Sequence, residues 1–227
     1  MLLAALLTTS SSFSAASTRA NFGAQRAQLS PRMALGLGSA SPFGASPFSL
    51  FSPSPEVLYE SGTRVDLLIE TLHITKRRVS GGCVVRAPPE DIWAVVTDYE
   101  AMPEIIPNIL SNSVHREAEG GRVTIEQESL LSRRLDLKVQ MGLEAIEDRE
   151  RWQLTLRRMS GHGFLEFEAV YSLQPRADGT TYLGYTVELV PCPLFPLPMV
   201  ERKIRKETPR MLHAVGQAAL ASGSSRR

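Results

Sequence analysis

The chain has 227 residues, 43% of them hydrophobic, with 25 basic against 24 acidic side chains and a formal net charge of +1. So even a balance gives no electrostatic reason to expect a nucleic-acid partner, and the length suits one or two domains. Two cysteines, Cys83 and Cys192, are too few for a disulfide framework and lack the spacing of a zinc site, so both read as buried or edge thiols.

From Met1 to Pro55 there is no Asp, Glu or Lys, only Arg19, Arg26 and Arg32 among many Ser and Ala; the first acid is Glu56. That composition matches an organellar transit segment and cannot bury enough apolar surface to fold. Leu2 to Leu7, with the small residues Ala15, Ala16 and Ser17 after them, resemble a signal-peptide core, which leaves a bipartite leader as a second reading. Serine richness favours a plastid over a mitochondrion. Removing the three arginines from +1 leaves −2 for residues 56–227. The expected organisation is a disordered leader over 1–55, a linker over 56–64, one folded domain over 65–220 and a disordered tail over 221–227. No run approaches the roughly 20 apolar residues that span a bilayer.

Beyond Val65 the chain alternates apolar and polar residues with period 2, the mark of half-buried strands. Leu135, Leu137, Val139, Met141 and Leu143 alternate with Asp136, Lys138, Gln140 and Gly142; Trp152, Leu154 and Leu156, and then Leu183, Tyr185, Val187 and Leu189, do the same. Turn residues at Glu119-Gly120-Gly121, Glu147-Asp148-Arg149, Ser160-Gly161 and Ala177-Asp178-Gly179 join these runs as hairpins. Seven strands are expected, at about 67–86, 109–118, 121–131, 134–147, 151–159, 163–174 and 180–190. Pro88 and Pro89 beside Glu90 and Asp91 predict a helix start, and Tyr99 to Ile106 a second short helix. Val200, Ile204, Met211, Leu212, Val215 and Ala219 recur at helical spacing opposite Arg202, Lys203, Arg205, Lys206 and Arg210, predicting a long amphipathic C-terminal helix with Pro209 inside it and a kink there.

The stretch "VVRAPPEDIWAVVTDYEAMPEIIPNI", with Ala87-Pro88-Pro89-Glu90, Trp93, Thr97-Asp98-Tyr99-Glu100 and Ile106-Pro107-Asn108, resembles the polyketide cyclase/dehydrase and lipid transport superfamily, in particular coenzyme Q-binding START-domain proteins. The tail "PMVERKIRKETPRML" resembles the final helix of that family, and the likeness covers about residues 65–220. It implies an α+β helix-grip fold, a curved seven-stranded antiparallel sheet around the long helix with two short helices after the first strand. Fold alone does not name an activity, since this superfold hosts carriers, receptors and cyclases.

Motifs for chemistry are sparse. His73, His115, His162 and His213 share no metal-ligand spacing, so no metal is expected, and no Gly-rich phosphate loop or Gly-x-Ser-x-Gly elbow is present. No catalytic residue and no cofactor is assigned. Glu126 with Glu128, and Glu166 with Glu168, alternate as on a wet outer face; a catalytic reading would need Glu126 or Glu168 inside, beside Tyr185. Arg202-Lys203-Arg205-Lys206, Arg133-Arg134 and Arg157-Arg158 read as solvated faces, with anionic lipid head groups as the alternative partner. The greasy connection Val190 to Val200 reads equally as a pocket lip, a membrane-touching element or a buried end of the grip.

A concave sheet closed by one helix encloses space, and the inward candidates for its lining are Tyr99, Ile106, Leu137, Val139, Met141, Leu154, Leu156, Phe167, Tyr171, Leu183, Tyr185, Ile204, Met211 and Val215. The expected function is binding or transfer of a hydrophobic small molecule such as a prenylquinone or lipid by a monomer. A cyclase or dehydratase acting on a polyketide-like or isoprenoid substrate, and an assembly factor for an organellar membrane complex, are the alternatives.

Overall fold

The structure is a computed structural model that describes residues 55–117, 121–132 and 135–225. The expected leader up to residue 54, most of the Glu119-Gly120-Gly121 turn, Arg133-Arg134 and the last two residues lie outside the described residues. The strands are β1 (Glu56–Glu60), β2 (Thr63–Thr71), β3 (Arg77–Val85), β4 (Ile109–Arg116), β5 (Val123–Ser132), β6 (Leu137–Asp148), β7 (Gln153–His162), β8 (Phe164–Pro175) and β9 (Thr181–Pro191). Helices α1 (Pro89–Val96) and α2 (Met102–Ile105) follow β3, and α3 (Leu197–Ser225) ends the chain. All neighbours pair antiparallel in one sheet, in the order β1-β2-β3-β9-β8-β7-β6-β5-β4.

Nine strands replace the seven expected, and the extra two come from one region. The supposed linker 56–64 holds β1, turned into β2 by Ser61 (φ 47°) and Gly62 (φ 84°), the paired left-handed residues of a two-residue hairpin. The single strand expected over 67–86 is two, broken at 72–76 where the Leu72 N–H donates to the Lys76 carbonyl at 3.1 Å. No Gly, Pro or Asn stands in Leu72-His73-Ile74-Thr75-Lys76, so turn chemistry gave no warning. The supposed tail is also corrected, because α3 continues to Ser225.

Alternation decides which face each strand buries. Val139, Met141 and Leu143 of β6, Leu154 and Leu156 of β7 and Ala169, Tyr171 and Leu173 of β8 are buried, while most of their intervening neighbours meet solvent. Leu212, Val215 and Ala219 of α3 are wholly buried against that face. Close approach of α3 to β3 depends on Gly81, where an added Cβ would stand 3.0 Å from Thr208 Cγ2 and 3.4 Å from Leu212 Cδ1. Trp93 of α1 meets Trp152 edge to face, centroids 5.8 Å apart, and the Arg149 guanidinium lies 3.9 Å over the Trp152 ring.

Antiparallel succession sorts the connections to two ends. The β2–β3, β5–β6 and β7–β8 connections, the α2–β4 entry and the β9–α3 passage lie at one end; α1 and the β4–β5, β6–β7 and β8–β9 connections lie at the other.

Candidate functional site

Space remains between the sheet and the N-terminal half of α3. A cavity of about 160 Å³ is lined by Met102, Ile106 and Ile109 from the α2–β4 region, by Val139, Met141, Leu143 and Leu156 from β6 and β7, and by Phe164, Phe167, Ala169, Tyr171, Tyr185, Val187 and Leu189 from β8 and β9. Val200, Ile204 and Met211 close it from α3. In a flat sheet β4 and β9, five strand spacings apart, would be about 24 Å from each other. Both contribute to one cavity, so the sheet is curled around it.

Of the residues expected to line a pocket, Ile106, Val139, Met141, Leu156, Phe167, Tyr171, Tyr185, Ile204 and Met211 are brought together here. Tyr99, Leu137, Leu154, Leu183 and Val215 are not part of the lining. Leu154, Leu183 and Val215 are fully buried core, and Leu183 pairs with Cys83 and Leu173 beneath the C-terminal half of α3. Tyr99 is 1% exposed and turns its hydroxyl to Glu147 Oε1 at 2.6 Å. Leu137 is half-buried at the start of β6. For Leu154, Leu183 and Val215 the cause is the helix, which fills one end of the cup and leaves the other open.

The polar part of the lining is Asn108, Gln127, Ser129, Lys203, Glu207 and Thr208. Gln127 Nε2 donates to Ser129 Oγ at 2.9 Å, and Lys203 pairs with Glu207 at 3.4 Å. Gln127 and Ser129 are polar and carry no apolar signal in the sequence. Their parity was a usable signal, since placing Glu126 and Glu128 outside puts Ile125, Gln127 and Ser129 inside. Asn108, Ser129 and Leu130 on one side and Lys203, Ile204 and Glu207 on the other keep partial exposure, which puts the mouth between the start of β4, the end of β5 and α3.

Two tyrosines give the wall its chemistry. Tyr171 hydroxyl donates to Met211 Sδ at 3.3 Å, and its ring lies 4.9 Å from that of Tyr185. Tyr185 hydroxyl has no hydrogen-bond partner among the described residues. Burial raises the pKa of both phenols, so they face the cavity as neutral donors. The Tyr185–carboxylate dyads that an enzyme reading required are not formed: Glu126 is exposed, and Glu168 is exposed and pairs with Arg157 at 2.9 Å. No group of three or more His, Cys, Asp or Glu side chains able to hold a metal occurs among the described residues.

A family model described as polyketide cyclase / dehydrase and lipid transport matches residues 76–222. The chain belongs to this family. Among solved structures its fold is similar to that of the Zhui aromatase/cyclase from a Streptomyces species, at 16% identity and TM-score 0.57, covering 64% of this chain and 94% of that one. A START superfamily protein from Mycobacterium smegmatis shares 20% identity at TM-score 0.55, covering 63% of this chain and 97% of that chain. A protein from Thermus thermophilus shares 18% at TM-score 0.56, covering 64% and 98%. At these identities the likeness is one of fold. No curated protein matches the chain. For this member of the polyketide cyclase and lipid transport family, the cavity under α3 is therefore the feature from which function has to be argued.

Proposed function

We propose that the chain binds an apolar small molecule of the prenylquinone or lipid class in the cavity under α3. The observation that carries this reading is the unfilled space itself: a wall of aliphatic and aromatic side chains around about 160 Å³, with few polar groups. Cores normally pack without voids larger than a water, and a dry apolar hollow is where an apolar ligand gains most by leaving water. The volume lies below the usual range of about 300–1,000 Å³ for ligand pockets. It admits a ring with short substituents, and a longer chain must emerge at the mouth or displace lining side chains. The Tyr185 hydroxyl and the amide of Gln127 are available to orient a carbonyl or hydroxyl on such a ring.

The test is to extract the purified full chain with organic solvent and identify what is released by mass spectrometry; a stoichiometric apolar compound is expected. Ala169, 1% exposed in the cavity wall, supplies the control. Ala169→Leu fills the hollow and should lower affinity for the recovered compound at least tenfold while leaving the unliganded chain as stable or more so. An empty extract, together with lipophilic-probe binding that Ala169→Leu leaves unchanged, would overturn the proposal.

A further inference from the structure

At the end of the sheet where the cavity opens, the chain holds apolar side chains out in water. Among the described residues the aliphatic side chains more than half exposed are Ile74 (80%), Leu135 (61%), Leu165 (57%) and Leu194 (86%). They come from four separate places in the chain, the β2–β3 connection, the β5–β6 turn, the start of β8 and the β9–α3 passage, and all four lie at this one end. A globular surface scatters its exposed leucines. Here the four most exposed aliphatic side chains among the described residues share the end of the sheet at which the cavity opens.

The connections that carry them are braced. Arg77 Nη1 donates to the carbonyls of His73, Ile74 and Lys76, while its Nε binds Glu201 of α3 at 2.6 Å. Lys76 bridges Glu166 and Glu188 at 3.0 and 3.2 Å, and the Cys192 N–H donates to the Gly163 carbonyl at 3.0 Å. A register shift between Phe164 and Glu166 coincides with the outward turn of Leu165. These contacts brace the segments that carry Ile74, Leu165 and Leu194.

Charge beside them is unevenly matched. On the side formed by α3, β3, β8 and β9, the carboxylates Glu166, Glu188, Glu201 and Glu207 are each held by a lysine or arginine. Arg202 and Lys206 are exposed on α3 and meet no carboxylate among the described residues. Arg158 gives its two terminal nitrogens to the Leu165 and Gly161 carbonyls and leaves Nε buried without a partner. The acids of this end without an ion pair among the described residues, Glu104 and Asp136, belong to the α2 and β5–β6 side.

We infer that this end docks on the surface of a lipid bilayer carrying anionic lipids, with Ile74, Leu165 and Leu194 entering the acyl boundary and Arg202 and Lys206 meeting head groups. A bilayer fits better than a protein partner because the apolar tips come from separate segments of the chain and stand at the end that also carries the exposed cations Arg202 and Lys206, and fluid lipid admits isolated side chains to about 5–10 Å depth. Docking places the cavity mouth against the medium in which an apolar ligand dissolves. That purpose rests on the ligand-binding reading above; the docking geometry does not.

The experiment is co-sedimentation of the full chain with phosphatidylcholine vesicles, with and without phosphatidylglycerol. Binding is expected to be stronger with the anionic lipid, and Ile74→Asp and Leu194→Asp should each lower partitioning about tenfold. Ile146→Asp, at an exposed β6 position near the opposite end, should bind as the native chain does. Because Arg19, Arg26 and Arg32 precede the domain, the difference between variants is the readout, with folding checked by circular dichroism. Equal binding by all three variants, or no binding to either vesicle, overturns the inference. So does a concentration-dependent dimer, seen by sedimentation, that Leu194→Asp abolishes without any vesicle binding, which would give the surface to a second copy. A chain that docks but releases no apolar compound keeps the docking and sinks the ligand reading.

Discussion

Arg77 shows how much one side chain can organise. It is 9% exposed and joins three carbonyls of the β2–β3 connection to Glu201 on α3, so its loss leaves four acceptors short of a donor. Arg77→Ala should cost roughly 1–3 kcal/mol in urea unfolding and open the 72–76 connection to limited proteolysis. Lysine has one compact ammonium in place of a planar fork, so Arg77→Lys should recover less than half of that loss. The buried acids of the core make a second prediction. Burial pushes the Cys83 thiol up to about 11, and it raises Tyr171 and Tyr185 as well. Above the ordinary values for these groups the unfolded chain releases protons that the folded chain keeps, so fewer protons are bound on unfolding and stability falls as pH rises. The contribution is fully present below pH 9 and declines above it, by about 1.4 kcal/mol per pH unit for each group once past its unfolded pKa. Melting temperatures measured from pH 7 to 11 should fall steeply from about pH 9, and a flat profile would contradict the burial of these groups.

Among the elements, the contact of α3 with β3 is the tightest joint. Gly81→Val adds a Cβ where 3.0 Å already separates that position from Thr208 Cγ2, plus two methyls, and should cost about 1–3 kcal/mol by equilibrium unfolding; Gly81→Ala should cost less. The order of elements from β4 onward was legible in the sequence because each strand alternates cleanly and most turns carry Gly, Asp or Pro. The start of the domain was not. Ser61-Gly62 is a hairpin signal, but it follows closely on a compositionally odd leader that hides the start of the domain, and the 72–76 connection has no turn residue. The cavity wall was legible in part for a related reason. Parity picks out inward residues such as Val139, Met141 and Tyr185, but it cannot tell a residue facing open space from Leu154 or Leu183, which share the same face under the helix. That distinction depends on how far α3 reaches along the cup, which is a long-range property of packing.

The folded domain is a curled sheet whose long helix does two jobs along its length. Beyond residue 209, Leu212, Val215 and Ala219 are fully buried; before it, Val200, Lys203, Ile204, Glu207 and Thr208 border the cavity. Pro209 stands at the division, and having no amide hydrogen it leaves the Arg205 carbonyl without its rung in the helical ladder. A rod with one rung missing bends there more cheaply than anywhere else. The anchored segment can then stay seated while the leading segment swings, widening the gap beside Leu130 enough for a guest bulkier than the resting hollow. Pro209→Ala restores the rung, and stopped-flow measurements should find both uptake and release of a lipophilic probe slowed by a similar factor with the dissociation constant little changed. Equal kinetics in the two proteins would mean that the guest enters without any flexing of the rod.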